Sequence, residues 1–331
     1  MKKAVLLCAV LGVALLGLLL TLELAVRASG YSANFWYRPD AQLGSKLRPG
    51  TQGWYIKENR VFVRINAAGL RDRDHALAKP DDVFRIAVLG DEHAEAMQVD
   101  LPDTWWWQLG ERLDGCSLAG GKRVEMLNFG VSSYGTAQEL VMLETTAMRY
   151  QPDLVLLQFT PDNDPQNNSF ALARDKERPF YRLEGGRLRI DDSFNASPKF
   201  ARHAAPSHEM LRRIGDRSRA VQWLSMLPEK KHRPGVQKAL LGPPPNELWE
   251  EAWQISEALI LRMDEYSRRN GAKFAVFSTG TGYGGERIGA LAAKHRLTYV
   301  ALDLKADGQR RAAELIAASL CGSRDRRLRI E

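Results

Sequence analysis

The stretch FRIAVLGD, residues 84–91, decides the fold of this 331-residue chain. Its mostly apolar run ends in Gly90-Asp91, which is typical of a strand buried on both faces of a parallel sheet. Similar runs follow at 124–131, 153–159, 273–278 and 299–304. Because helical patterns alternate with these runs, the sequence predicts an α/β fold of three layers, a doubly wound parallel sheet with helices on both faces.

The helical patterns cover 104–113, 136–150, 247–269, 286–295 and 308–320. Between about 165 and 245 the alternation stops, and many Pro, Arg, Asn and Asp residues indicate a long insertion. Parallel strands all end at one edge of the sheet, where ligands of such folds bind. Candidate site residues are therefore those that follow Leu89, Val131, Phe159 and Leu304.

The N-terminus predicts export. Lys2 and Lys3 precede an uncharged run, 4–20, which as a helix is about 26 Å long and just spans a bilayer with its N-terminus inside. A cleaved signal peptide, with a small-residue cleavage site at 26–28, is the alternative. In either case the rest of the chain is exported into an oxidising compartment, while Cys8 is expected to face lipid.

Composition excludes several classes of protein. Hydrophobic residues make up 44% and charged residues 26%, as in globular proteins rather than disordered or multi-span ones. Three cysteines without a C-x-x-C pair exclude a disulfide-built miniprotein and a four-cysteine zinc site. The net charge of +7 is spread along the chain, which argues against nucleic-acid binding. We predict no cofactor and no metal, since the histidines at 75, 203, 208, 232 and 295 lack ligand spacing and are expected at the surface.

Four parts of the chain follow from these patterns. Residues 1–28 are the anchor, and residues 29–82, rich in Gly, Arg, Asn, Tyr and Trp, form a juxtamembrane segment that packs on the domain, with a hairpin around 54–65. Residues 83–323 form the sheet domain with its insertion at about 165–245, and 324–331 form a basic tail.

The strand ends resemble those of the SGNH (GDSL-type) hydrolases, and more narrowly those of bacterial membrane-anchored members. The resemblance rests on the order and spacing of NAAGLR (66–71), FRIAVLGD (84–91), NFGVSSYGTAQEL (128–140), DLVLL (153–157) and AAELIAA (312–318). It implies a flavodoxin-like sheet. It also implies a single anchor in a bacterial inner membrane, with the body of the protein in the periplasm.

The catalytic set of that family is only partly present. In the family a serine after Gly-Asp attacks an ester, a histidine in a late Asp-x-x-His takes its proton, and serine N–H, glycine N–H and Asn side-chain groups hold the oxyanion. Here Glu92 stands at the serine position, Ser133 at the glycine position, and Asn163 matches the Asn. Asp303 lies in the late block, but no histidine follows His295.

Simple structural roles are expected for several of these residues. Glu92 suits the first turn of a helix because of the helix dipole, and His93 is expected to be exposed on that helix. Asn163 is expected to satisfy backbone groups at the sheet edge. The acids and amides at 162, 164, 167 and 168 fail the calcium-loop pattern and predict a solvated turn. Of the tryptophans at 105–107, one or two are expected in the core.

The departures from the family pattern predict an exported SGNH-like protein that has lost ester hydrolysis. It would act as a binding or scaffold protein in the envelope, with a polysaccharide or a protein as its partner. Two alternatives remain open: an ester hydrolase or O-acetyl transfer enzyme with an atypical site, and a structural envelope subunit.

A disulfide between Cys116 and Cys321 is also predicted. Cys116 follows the first helix of the sheet domain, and Cys321 closes the last one. In a doubly wound sheet with a central first strand, those two helices pack on the same face, so their ends can come within disulfide distance.

Overall fold

Five parallel strands form the centre of the protein in a computed structural model that describes residues 2–226 and 242–322, without the side chains of 305–307. They are β5 (Val83–Leu89), β6 (Arg123–Asn128), β7 (Leu154–Phe159), β10 (Lys273–Ser278) and β11 (Thr298–Ala301). Their order across the sheet is β11-β10-β7-β5-β6, and every neighbouring pair is parallel. Numbered in chain order this is 2-1-3-4-5, the flavodoxin-like order. The predicted doubly wound fold is confirmed, with β5 in the interior of the sheet.

Six further strands form three antiparallel hairpins outside this sheet. They are β1 (Tyr37–Asp40) with β2 (Gly44–Leu47), β3 (Gln52–Tyr55) with β4 (Val61–Arg64), and β8 (Phe180–Glu184) with β9 (Arg187–Asp191). The β3–β4 pair is the hairpin expected around 54–65. Apolar residues of 29–82, such as Leu47 and Val63, are buried in the same core cluster as Leu157 of the sheet.

The α-helices are α1 (Lys2–Ala28), α2 (Glu92–Glu95), α3 (Trp105–Leu113), α4 (Thr136–Thr145), α5 (Asp164–Asn168), α6 (Pro198–His203), α7 (Pro206–Gly215), α8 (Arg219–Met226), α9 (Glu247–Arg269), α10 (Tyr283–His295) and α11 (Leu304–Gly322). Short 3-10 turns lie at Leu101–Asp103, Ser117–Ala119, Ala147–Tyr150 and Ser193–Ala196. The predicted helix 136–150 is thus shorter, ending at Thr145 before a 3-10 turn. Helix α11 is kinked at Gly308, whose φ of 71° is left-handed, and the predicted helix start lies at this kink.

Helices cover both faces of the sheet. On one face α4, α9 and α10 bury Leu140, Leu259 and Ile288 against the strands. On the other face α3 and α11 pack together. Two tryptophans of α3, Trp105 and Trp106, are fully buried there, as expected for part of the 105–107 run.

Cys116 and Cys321 are joined in a disulfide on the face covered by α3 and α11, with their Cα atoms 5.7 Å apart. Cys116 follows the C-terminal end of α3, and Cys321 lies in the last turn of α11. The two helices pack side by side because β5 is an interior strand. The bond encloses a sequence separation of 205 residues and thereby ties the start of the sheet domain to its end.

Helix α1 is long and apolar enough to cross a membrane, the one such helix in the described part of the chain. Its 27 residues have a mean hydropathy of 2.9 in their most apolar window and extend about 40 Å. None of that window is buried against the rest of the protein.

A buried ionic network surrounds Arg85, the one charged residue of β5. Its Nε donates to Glu125 at 2.6 Å, and its Nη1 donates to the carbonyl of Tyr150 at 2.8 Å. The expectation of a surface position for His75 is wrong, because its side chain is 1% exposed between Asp72, at 3.1 Å, and Glu125, at 3.0 Å. His75 lies in a loop without periodicity, so only the folded chain reveals its buried carboxylate partners. The tail 324–331 and His232 lie outside the described residues.

Candidate functional site

A cleft of about 490 Å³ opens at the carboxyl edge of the sheet. Its walls are formed by residues that follow β5, β6 and β7, together with the loop that carries Arg174 and Arg178. Tyr55 and Glu58, from the β3–β4 hairpin, form part of the rim. The cleft therefore lies where the doubly wound topology predicts a ligand site.

Glu92 begins α2 directly after β5 and projects into this cleft. Asp91 caps the helix by accepting the backbone N–H of His93 at 3.0 Å. The carboxylate Oε2 of Glu92 accepts the backbone N–H of Ser133 at 3.2 Å. Although Glu92 is exposed to the cleft, the surrounding protein and the neighbouring charge of Asp91 raise its pKa.

Ser133 has a φ of 66°, a left-handed conformation that favours glycine. Its carbonyl accepts a hydrogen bond from Nη1 of the buried Arg178 at 2.8 Å, and this bond holds the strained turn. The backbone conformation at this position is therefore the one that a glycine adopts readily, even though serine occupies it. It directs the Ser133 N–H toward Glu92.

Asn163 makes its contacts with side chains and not with the backbone groups that we expected. Its Nδ2 donates to Oδ2 of Asp91 at 3.2 Å, and its Oδ1 accepts from Asn167 at 2.7 Å. The expectation of a solvated turn here is also wrong. Asp164 and Asn168 are fully buried in α5, where they accept the N–H groups of Thr160 and Ala137. The two side chains thus complete backbone hydrogen bonding inside the domain.

The structure brings Glu92, Ser133 and Asn163 together but not Asp303. Asp303 lines a separate pocket of about 260 Å³ beside Thr279 and Gly282. His93 is half-buried and lines the cleft, whereas we expected it to be exposed. No other histidine within residues 2–226 and 242–322 lines it.

Glu95, one helical turn after Glu92, is a site residue that sequence reasoning missed. It is 1% exposed and accepts the Tyr37 hydroxyl at 3.0 and 2.9 Å, while the Ser132 hydroxyl donates to its Oε2. Burial raises its pKa to about 7, although the bonds from Ser132 and Tyr37 act in the opposite direction. The spacing of Glu92 and Glu95 on one short helix was the available signal.

Two further acids lie behind the cleft. Glu139 of α4 and Asp164 of α5 are fully buried, and neither carboxylate oxygen of Glu139 has a hydrogen-bond partner within the described part of the chain. Burial, together with the charges of neighbouring acids, raises the pKa of both well above the ordinary range. Burial therefore favours the protonated form of both side chains. The described residues contain no group of three or more metal-ligating side chains.

No protein-family model matches the chain, and no curated protein sequence is significantly similar to it. Among solved structures the chain is similar to TesA, at 16% identity and a TM-score of 0.38, covering 71% of this chain and 97% of TesA. It is similar to a GDSL-like lipase from Bacteroides thetaiotaomicron (11% identity, TM-score 0.29, 69% and 72% covered). It is also similar to an acetylxylan esterase from Geobacillus stearothermophilus (10%, 0.28, 75% and 95%).

These solved structures include the kind of hydrolase that the sequence motifs resemble. The fold assignment itself rests on the strand order, because the TM-scores are 0.38 or lower. Strand order and cleft together define the class: a flavodoxin-like α/β protein with a strand-end site. The roles given to Glu92, Ser133 and Asn163 rest on the geometry of this chain and not on those solved structures.

Proposed function

We propose that this chain is a membrane-anchored envelope protein whose strand-end cleft binds a ligand without hydrolysing esters. One observation carries the proposal. Glu92 stands at the position where the resembling hydrolases have their nucleophile, and its carboxylate accepts the Ser133 N–H at 3.2 Å. A donor that would stabilise an oxyanion is thus occupied by a carboxyl oxygen of the chain itself.

The electrostatics of the cleft oppose ester hydrolysis. An oxyanion needs preorganised donors and no nearby negative charge. The Ser133 N–H faces Glu92, and the Asn163 amide donates to Asp91. In addition, Asp303 lines a separate pocket and not the cleft. These contacts support a binding role.

A hydroxyl-rich ligand suits the chemistry of the lining. Carboxylates, side-chain amides and the guanidinium groups of Arg174 and Arg178 surround the cleft, and Tyr55 offers an aromatic ring at its rim. Such groups form the directional hydrogen bonds and ring contacts that sugars use. An envelope polysaccharide is therefore the ligand class that we propose.

Helix α1 supplies the membrane anchor in this proposal, with the rest of the chain in the periplasm of a bacterium. An alkaline phosphatase fused to the C-terminus is expected to be active. An inactive fusion would contradict export, and a mature N-terminus near Ser29 would contradict the anchor. An oxidising compartment also suits the Cys116–Cys321 disulfide, so non-reducing mass spectrometry is expected to find neither thiol free to be alkylated.

Catalysis and binding are tested on the purified full-length chain in detergent. We expect it to hydrolyse short-chain p-nitrophenyl esters no faster than the denatured protein, and to co-sediment with envelope polysaccharide. Gln98→Trp places a large side chain in the cleft wall and should abolish co-sedimentation. Gln254→Trp, on the exposed side of α9, is the matched control and should bind normally. Equal binding by both variants would contradict the cleft as the binding site.

One observation favours a second candidate, an ester-processing enzyme with an atypical site. The Ser132 hydroxyl lines the cleft and donates to Glu95, whose pKa of about 7 suits a general base. In this mechanism Glu95 takes the Ser132 proton as the oxygen attacks the ester carbonyl carbon, and it returns that proton to the alcohol that leaves when the ester C–O bond breaks. Water then hydrolyses the acyl-serine, or a second hydroxyl accepts the acyl group. Ester turnover that disappears in Ser132→Ala and persists in Ser133→Ala would establish this alternative.

A further inference from the structure

We infer that helices α7 and α8 dock on the lipid surface of the membrane that α1 crosses, forming a second membrane contact. The inference rests on the proposed membrane insertion of α1. It concerns a surface that is distinct from the strand-end cleft.

Exposed apolar side chains are concentrated on these two helices. Outside α1, the described residues include eleven exposed large hydrophobic side chains, and five of them lie on α7 and α8. They are Met210 (64% exposed), Leu211 (42%), Ile214 (44%), Trp223 (37%) and Leu224 (46%). Isolated exposed hydrophobic residues are ordinary, but a concentration within two short amphipathic helices indicates an interaction surface.

The membrane helix holds α8 directly. The carboxylate of Glu23, near the end of α1, accepts the Ser218 hydroxyl at 2.7 Å and the backbone N–H groups of Arg219 and Ala220 at 3.0 and 2.9 Å. Arg27 of α1 also donates to the carbonyl of Arg217 at 2.8 Å. The N-terminus of α8 is therefore capped by a side chain of α1, and the two helices keep a fixed relation.

This cap sets the depth of α8 relative to the bilayer. A hydrocarbon core takes about 20 helical residues, so a span that begins after Lys3 reaches its outer boundary near Glu23. Because Glu23 binds the first residues of α8, that helix begins at the level of the headgroups. Apolar side chains at this level are buried by lipid, and a tryptophan such as Trp223 is favoured there.

Charge on the two helices suits an anionic lipid surface. Residues 206–226 contain four arginines and two acids. Glu209 pairs with Arg212 and Arg213, and Asp216 pairs with Arg48 from outside the helices. Arg213 has a 75% exposed side chain, so its guanidinium can reach phosphate groups while its stem lies along the apolar surface.

Nitroxide labelling of the full-length chain tests the contact in phosphatidylcholine–phosphatidylglycerol vesicles. Cysteines replace Leu211 or Leu224 in a Cys8→Ser background, since the disulfide leaves no other reactive thiol in the described residues. Ile190 on β9, which is 50% exposed, gives the matched control Ile190→Cys. The ratio of the label's collision rate with oxygen to its collision rate with an aqueous nickel complex reports its exposure to lipid. We expect this ratio to be several-fold higher at 211 and 224 than at 190.

The outcomes separate docking from anchoring through a label at Val13→Cys in α1. Lipid-like accessibility at 13 with water-like accessibility at 211 and 224 would overturn the docking and leave the anchor intact. Water-like accessibility at 13 would contradict the anchor itself. Protection of 211 and 224 from both reagents, with dipolar broadening between labels, would overturn lipid docking in favour of contact between two copies of the chain.

Discussion

Two groups of ionisable side chains lie along the same sheet, and they are organised in opposite ways. Around Arg85, carboxylates and cations alternate: Glu125 contacts both Arg85 and His75, and Lys79 pairs with Asp153 at 2.5 Å. At the carboxyl edge, the side chains of Glu92, Glu95 and Glu139 form no ion pair with a basic side chain of the described residues, although Arg71 donates to the backbone carbonyl of Glu95.

The titration behaviour follows this difference. Burial alone would lower the pKa of His75 and raise that of Glu125, but their mutual contacts and those with Asp72 and Arg85 outweigh it, so both charged forms are favoured. In the cleft, burial raises the pKa of Glu92 and Glu95. Removing one partner from a neutralised buried network is strongly destabilising, whereas acids with raised pKa values beside a cleft are typical of functional sites.

The largest effect is expected from breaking the neutralised network with Arg85→Met. The change leaves Glu125 with His75 as its remaining basic contact and several backbone carbonyls without their donor, and loss of one buried partner costs about 3–5 kcal/mol. Urea unfolding measures the change in the free energy of unfolding. Arg268→Met removes an exposed pair with Asp264 on α9 and should cost less than about 0.5 kcal/mol. Similar losses in the two variants would contradict the structural role of the network.

Glu95→Gln tests, through the pH dependence of stability, whether folding raises the pKa of the carboxyl group at position 95. The pKa of Glu95 rises from the ordinary 4.5 to about 7 on folding, so its contribution to stability is full below pH 4.5 and is lost as the pH rises through 7. A shift of this size corresponds to about 3 kcal/mol. Wild type and variant should therefore be similar near pH 4.5, and the variant should gain up to that amount by pH 8.

Urea unfolding at several pH values measures this difference. Glu251→Gln, at an exposed position on α9, is the control and should show no pH-dependent difference from the wild type. A constant difference between Glu95→Gln and the wild type from pH 4.5 to pH 8 would show that Glu95 is not held in a raised-pKa site.

The smallest effect is expected from Glu92→Ser, which restores the nucleophile type of the resembling hydrolases. No turnover of p-nitrophenyl esters should appear, because a serine also needs a positioned base and Asp303 lies outside the cleft. Folding should be retained, since Glu92 is exposed. Substantial turnover by this variant would identify a base in the cleft, with His93 as the first residue to replace.

Local sequence patterns determined the sheet and most of its helices. Strand β10 and helix α9 have the bounds that the pattern predicts, because a buried strand needs a continuous apolar run and a helix a 3.6-residue period. The prediction that α3 and α11 share a face also needed only the topology. Within the site, the motif positions brought Glu92, Ser133 and Asn163 to one edge, since parallel strands end together.

Only the tertiary structure decided the environment of each group. Tyr37 reaches Glu95 across 58 residues of sequence, and Ser132 across 37, so neither contact leaves a local pattern. The burial of Asp164 and His75 likewise depends on which distant residues cover them, whereas local composition suggested solvent. A side chain's charge state follows from its burial and its partners, and both are set by contacts between distant parts of the chain.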